Sequence, residues 1–206
     1  MYKKKIQHAF YTMSHPLDGY YEIRHQEKGS VILALIFVFL FGICYSVNRQ
    51  YAGFVVNTIN PKGINSIAEM ISIFSLFFLI CIGNWSITCL MEGEGRLKDI
   101  VVVMGYAMLP MIIIFMPATI ISNFVAQNEE IIYYLLLIVA IGWFVILALI
   151  GIMTVHHYTF GKTLITLIFT FIAMFILVFM IFLLFSLLGQ VFAFFESIYN
   201  EILLRA

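Results

Sequence analysis

The chain has 206 residues, 63% of them hydrophobic and only 11% charged, with no net charge and a mean hydropathy of +1.05. A water-soluble domain of this size has no interior large enough to hide that much apolar surface, so a soluble enzyme or soluble binding module is excluded. A neutral chain also has no field to draw it to nucleic acid.

Residues 1–29 begin with Lys3, Lys4 and Lys5. The nearest apolar run starts at Val31, too far away to form a cleavable signal with them, so the first span is expected to remain as an anchor. Ile6, Phe10 and Met13 recur at helical spacing behind the lysines, as in an interfacial amphipathic helix. Pro16-Leu17-Asp18-Gly19 reads as a turn, after which Tyr20, Tyr21 and Ile23 return toward the membrane.

A helix crosses a bilayer with about 20 mostly apolar residues. Five windows meet that requirement: residues 30–47, 67–91, 100–124, 131–155 and 163–188. Together they predict an all-α polytopic membrane protein, a bundle of five transmembrane helices over residues 30–188. Segments 1–29 and 189–206 flank it at the interfaces. The loop at 48–66 is polar and amide-rich, with a turn at Pro61-Lys62-Gly63. Glu69 falls in the first turn of the second span, where a carboxylate reaches the interface. Asn84, Trp85, Ser86 and Thr88 make that span's other end polar. An interfacial tryptophan with hydroxyls bonded to their own backbone accounts for them; contact with a neighbouring helix is the alternative.

The third span carries the most specific pattern. A glycine-bearing loop, Met91-Glu92-Gly93-Glu94-Gly95-Arg96-Leu97-Lys98-Asp99, leads into Gly105-Tyr106-Ala107-Met108-Leu109-Pro110, with Pro117 further on. Proline lacks an N–H and clashes with the preceding turn, so two kinks are expected, on nearly one face. The freed carbonyls need protein or water partners rather than lipid, which places this span at the centre of the bundle. The alternative is a broken helix of the transporter kind, with a cavity beside Tyr106 and Pro110, as in a small transporter or lipid-handling protein.

A tight connection at 127–130 leads to the fourth span, and His156-His157 to Lys162 connects the fourth with the fifth. Phe171, Phe175, Phe179 and Phe182 stripe the fifth span at the spacing of packing or lipid contacts. Beyond it, Gly189 offers a bend. Val191, Phe195, Ile198 and Ile202 then share a face, so 189–206 is expected to lie on the outer surface as an amphipathic helix.

Lysine and arginine distribution sets the expected orientation. Eight (Lys3, Lys4, Lys5, Arg24, Lys28, Arg96, Lys98 and Lys162) fall on one side and three (Arg49, Lys62 and Arg205) on the other. The positive-inside rule then predicts a cell-membrane protein with its N-terminus in the cytoplasm and its C-terminus outside.

Chemistry-bearing patterns are sparse. Cys44, Cys81 and Cys89 lie inside spans and read as packing residues rather than a disulfide or zinc set. His8, His15, His25, His156 and His157 lack metal-ligand spacing, and adjacent histidines on a helix point about 100° apart. Glu92 and Glu94 have no nucleophile nearby, and no hydrolase triad order or phosphate loop occurs. No enzyme activity, metal or cofactor is expected. The span interiors hold no charge, unlike ion-coupled transporters and voltage sensors, and no Gly-x-x-x-Gly pattern suggests tight dimerisation.

The glycine-rich loop leading into Gly105-Tyr106-x-x-Leu109-Pro110, in a five-span chain, resembles the Yip1 family. His15-Pro16-Leu17-Asp18-Gly19-Tyr20-Tyr21-Glu22-Ile23 and Lys28-Gly29-Ser30 are similar to its short bacterial members. The likeness runs from about His15 to the fifth span. Eukaryotic relatives act in vesicle trafficking and bind small GTPases through a long N-terminal region; here that region is under 30 residues, which argues against GTPase binding. Some bacterial relatives accompany ABC-type exporters. The resemblance therefore implies a non-enzymatic adaptor or scaffold in the lipid bilayer, accessory to an ABC-type transport system or a membrane-stress system. Segments 16–23, 92–99 and 156–162 gather the turns, charges and aromatics that the rest of the chain lacks and are expected close together on the cytoplasmic face, the candidate partner surface, through Pro16, Asp18, Tyr20, Glu92, Glu94, Arg96 and Asp99.

Overall fold

The computed structural model describes residues 2–57, 60 and 63–205. The expected turn residues Pro61 and Lys62, and the side chains of Lys3, Ile202 and Arg205, lie outside what is described. The described residues form eight helices in order: α1 (Tyr2–Ser14), α2 (Pro16–His25), α3 (Val31–Tyr51), α4 (Ser66–Leu90), α5 (Leu97–Ala107), α6 (Leu109–Ser122), α7 (Glu130–His156) and α8 (Phe160–Arg205). Among the described residues five stretches are long and apolar enough to cross a membrane: α3, α4, α5 with α6 as one span, α7, and α8. The protein is an all-α polytopic membrane protein, and no strand occurs among the described residues.

The third span is central. Of its most apolar window 72% is buried, against 17% for the second and fifth spans. Every residue from Asp99 to Met111 is buried, packed among Ala34, Val38 and Leu147 of the flanking spans. Its helix ends at Ala107 and restarts at Leu109, with Pro110 in the first turn of α6. Pro110 has no N–H to offer the preceding turn, so the ladder is interrupted there and the Met108 N–H tightens onto the Gly105 carbonyl at 3.3 Å. Pro117 does not end its helix: α6 continues through it, and its ring is exposed. Only the first of the two expected kinks is a break.

At the N-terminus, Pro16-Leu17-Asp18-Gly19 is not a turn but the opening of α2. Pro16 stands at the first helical position, where its missing N–H costs nothing. The break is confined to His15 (φ −128°, ψ 72°), held out of the helical region by the ring that follows it. Gly19 serves close approach instead: a Cβ there would stand 2.5 Å from Thr12 Oγ1 and 2.6 Å from Thr12 Cα, so α1 and α2 fold tightly on one another.

The separate C-terminal helix is also corrected. α8 runs uninterrupted for 46 residues, through Gly189. A glycine inside a helix costs only about 1 kcal/mol, too little to break one flanked by good helix formers. Thr163, Thr166, Thr170 and Ala173 are buried on the side facing α4. From Phe179 to Leu204 every described side chain is exposed.

Candidate functional site

Functional side chains gather at the end of the bundle that carries α1 and α2, here termed the N-terminal face. Glu92 takes a left-handed conformation (φ 58°) and turns the chain out of α4. The loop then returns into α5 around Asp99, which is 4% exposed. One oxygen of Asp99 accepts from the Arg96 backbone N–H at 3.1 Å and from Arg96 Nε at 3.0 Å. The same oxygen accepts from Arg24 Nη1 at 3.3 Å, while Arg24 Nη2 donates to the Glu94 carbonyl at 2.6 Å. Asp99 thus caps α5 and ties α2 to the α4–α5 loop.

Around this joint lies a rim of exposed charge. Glu27 Oε1 stands 3.1 Å from Lys98 Nζ and 3.6 Å from Arg96 Nη2. The Lys98 hydrogen bond and charge, with Arg96 behind, hold the Glu27 carboxyl below the usual carboxylate range. The hydrogen bond to Asp99 holds the Arg96 guanidinium up. The end of α7 closes the third side. Gly95 N–H donates to His156 Nδ1 at 3.1 Å, which places the proton of that neutral ring on Nε2. His157 Nε2 is 3.8 Å from Glu94 Oε2, and its ring meets His25 edge-on at 5.4 Å. Tyr158 donates to the Met91 carbonyl at 3.1 Å, under Lys162 Nζ at 4.3 Å from the ring. Burial pushes the Tyr158 hydroxyl above its ordinary range.

The predicted site residues divide by burial. Asp18, Glu92, Glu94 and Arg96 are exposed and Pro16 is half-buried. Tyr20 is fully buried, close to Gly151 of α7. It is a packing residue, and burial lifts its hydroxyl far above the tyrosine range. Asp99 is likewise spent inside the fold. Tyr20 and Asp99 therefore offer a partner nothing directly. Arg24 and Glu27 join the face although the sequence reading did not select them for it, Arg24 having figured only as a charge setting orientation; Lys98 and His157 come from the segments expected there, 92–99 and 156–162. No group of three His, Cys, Asp or Glu side chains able to hold a metal stands together among the described residues.

Gly105, Tyr106, Leu109 and Pro110 are buried. The Tyr106 hydroxyl accepts from the Ser30 N–H at 3.2 Å, and its ring meets Phe37 edge-on at 5.7 Å. Tyr106 and Pro110 are packed inside the bundle, the Tyr106 ring against Phe37 of α3. A cavity of about 900 Å³ lies instead along another face of the same broken span, lined by Met104, Met108 and Met111. Phe41, Ile80 and Phe144 extend its apolar wall, and Arg49 and Glu69 stand at its polar end. Glu69 does not simply reach the interface: Oε1 is 2.9 Å from Arg49 Nη1, and the carboxylate is largely buried.

Polar ties also join the spans elsewhere. Asn48 donates to Thr119 Oγ1 at 2.8 Å and accepts from Tyr133 at 2.9 Å, linking α3, α6 and α7. The sequence reading placed Asn48 in the polar loop at 48–66; it belongs instead to the last turns of α3. At the polar end of α4, Ser86 and Thr88 bond to their own backbone, while Asn84 donates across to Thr170 of α8 at 3.2 Å.

A family model described as Yip1 domain matches residues 10–182. No curated protein and no solved structure matches the chain.

Proposed function

The chain belongs to the Yip1 family, and from that premise we propose that it is a non-enzymatic membrane adaptor that takes a membrane-protein partner on its N-terminal face. The partner we favour is a subunit of an ABC-type transporter, with this face in the cytoplasm. One observation carries the reading. Exposed Glu92, Glu94 and Arg96 are mounted on a hydrogen-bonded joint, half-buried Arg24 on buried Asp99. Charges held in place this way meet a partner without first paying the entropy of ordering a loop. A mixed-sign rim gives specificity and register more than raw affinity.

The test is purification from native membranes in gentle detergent, comparing wild type with a Glu92→Ala/Glu94→Ala/Arg96→Ala variant. Asp99 is left intact so that the fold is kept. A stoichiometric ABC transporter subunit that is lost with the variant supports the reading. A partner retained equally by both proteins, or no partner with either, removes it.

A further inference from the structure

We propose that the cavity beside the broken third span is a binding site for one phospholipid whose headgroup carries both a phosphate and a primary ammonium. The headgroup lies at the Arg49–Glu69 ion pair, with an acyl chain along Met104, Met108 and Met111. The inference does not rest on the adaptor reading, which concerns the opposite end of the bundle.

Depth comes first. Arg49 lies in the last turn of α3 and Glu69 in the first turn of α4, so the pair sits at one membrane interface. The cavity wall on α4 runs from Ala68 to Ile80. The twelve rises between them span about 18 Å, a little over half of a hydrocarbon layer of about 30 Å. The cavity therefore follows one leaflet from its headgroup level to the midplane. Its volume of about 900 Å³ is at the upper end of the range that ligand pockets occupy, about 300–1,000 Å³.

Shape and lining fit an acyl chain. Met104, Met108 and Met111 recur at helical spacing across the break between α5 and α6. Methionine is unbranched and polarizable, and adapts to a flexible alkyl chain better than a branched residue does. Ala68, Ser72 and Leu76 line the cavity on α4 and are exposed. They mark a lateral opening, the side from which a lipid enters.

Charge then selects the headgroup. The ion pair is net neutral, so a purely anionic headgroup meets the Glu69 carboxylate and a purely cationic one meets Arg49. A headgroup of both signs satisfies each with its opposite. The pair is also incompletely bonded: Arg49 Nε and Glu69 Oε2 are buried with no hydrogen-bond partner among the described residues. An incompletely bonded buried charge is costly. A phosphate supplies an acceptor for the guanidinium, and a primary ammonium supplies a donor for the carboxylate. A quaternary ammonium has no N–H to give. The guanidinium is already positioned, with its carbon 5.8 Å from the Tyr45 ring centroid.

The experiment uses the full chain, purified in detergent and given equimolar phosphatidylethanolamine, phosphatidylcholine and phosphatidylglycerol with identical acyl chains. Bound lipid is read by native mass spectrometry. Wild type is expected to retain phosphatidylethanolamine several-fold over the other two. Glu69→Gln keeps Arg49 but removes the ammonium's partner, and is expected to shift retention toward phosphatidylglycerol. Met108→Trp fills the cavity and is expected to lose all three lipids. Equal retention of the three headgroups by wild type means annular lipid only and overturns the proposal, whether or not the variants fold. Unchanged selectivity in a folded Glu69→Gln protein overturns it as well.

Discussion

Gly105 of α5 lies directly on Ala34 of α3: a Cβ on Gly105 would stand 2.6 Å from the Ala34 Cβ and 2.8 Å from its Cα. The two helices meet backbone to backbone, and this contact seats the buried half of the third span. Gly105→Ala is expected to force them apart and to cost about 1–3 kcal/mol, the usual penalty of overpacking. Thermal unfolding in detergent measures it. Gly189→Ala is the contrast, since nothing lies within 4 Å of a Cβ there. It is expected to be neutral or to stabilise by up to about 1 kcal/mol.

Asp99→Asn keeps the volume and removes the charge that Arg24 and Arg96 share. The expected loss is about 1.5–3 kcal/mol, the range for hydrogen bonds to a charged group. It should be accompanied by faster proteolysis between Leu90 and Leu97, because the loop loses its tie to α2. A variant as stable and as resistant as wild type would show that the joint does not hold the loop.

His8 makes the α1–α2 hairpin sensitive to acid. It is 9% exposed, and its Nε2 has no partner among the described residues. Burial holds its pKa below the ordinary value of 6.5, with the Lys28 charge adding to the effect. Glu22, at 3.5 Å from Nδ1, opposes the shift without reversing it, since Lys28 already holds the same oxygen at 2.9 Å. The unfolded chain therefore takes up the proton first. The contribution of His8 to stability is complete above about pH 6.5 and is lost as pH falls through the lower folded value. Thermal melts on either side of that window should show a drop on acidification that is smaller in His8→Gln.

Tyr133→Phe removes the donor to Asn48 and leaves the Asn48–Thr119 bond in place. Hydrogen bonds between membrane helices average about 0.6 kcal/mol and reach about 1.7, and the change should fall in that range. A double-mutant cycle with Asn48→Ala isolates the pair; a coupling near zero would show that the tie adds nothing to the packing of α3 on α7.

What the sequence disclosed, and what it did not, follows from the range of the forces involved. Spans were legible because burial in lipid is written in composition. The break near Pro110 was legible because a missing N–H is local. Pro117 misled because whether a proline ends a helix depends on the neighbours that re-satisfy its carbonyls. Pro16-Leu17-Asp18-Gly19 misled because proline and glycine serve turns and helix openings alike; Thr12, which Gly19 accommodates, lies seven residues earlier on another helix. In the candidate site, exposed Glu92, Glu94 and Arg96 could be anticipated from loop position. The burial of Tyr20 and Asp99, and the pairing of Arg49 with Glu69, depend on contacts between residues 20 or more positions apart, which no local pattern records.

The fifth span, α8, also bears on how the protein responds to the membrane around it. Forty-six residues make a rod of about 69 Å, more than twice the thickness of a hydrocarbon layer of about 30 Å. Its last buried side chain is Ala173, and from Phe179 on every described side chain is exposed. Hydrophobic mismatch is therefore taken up by the tilt of α8 and by the surrounding lipid. A thicker or thinner bilayer re-angles this one rod while the packing of α3, α5, α6 and α7 keeps its geometry.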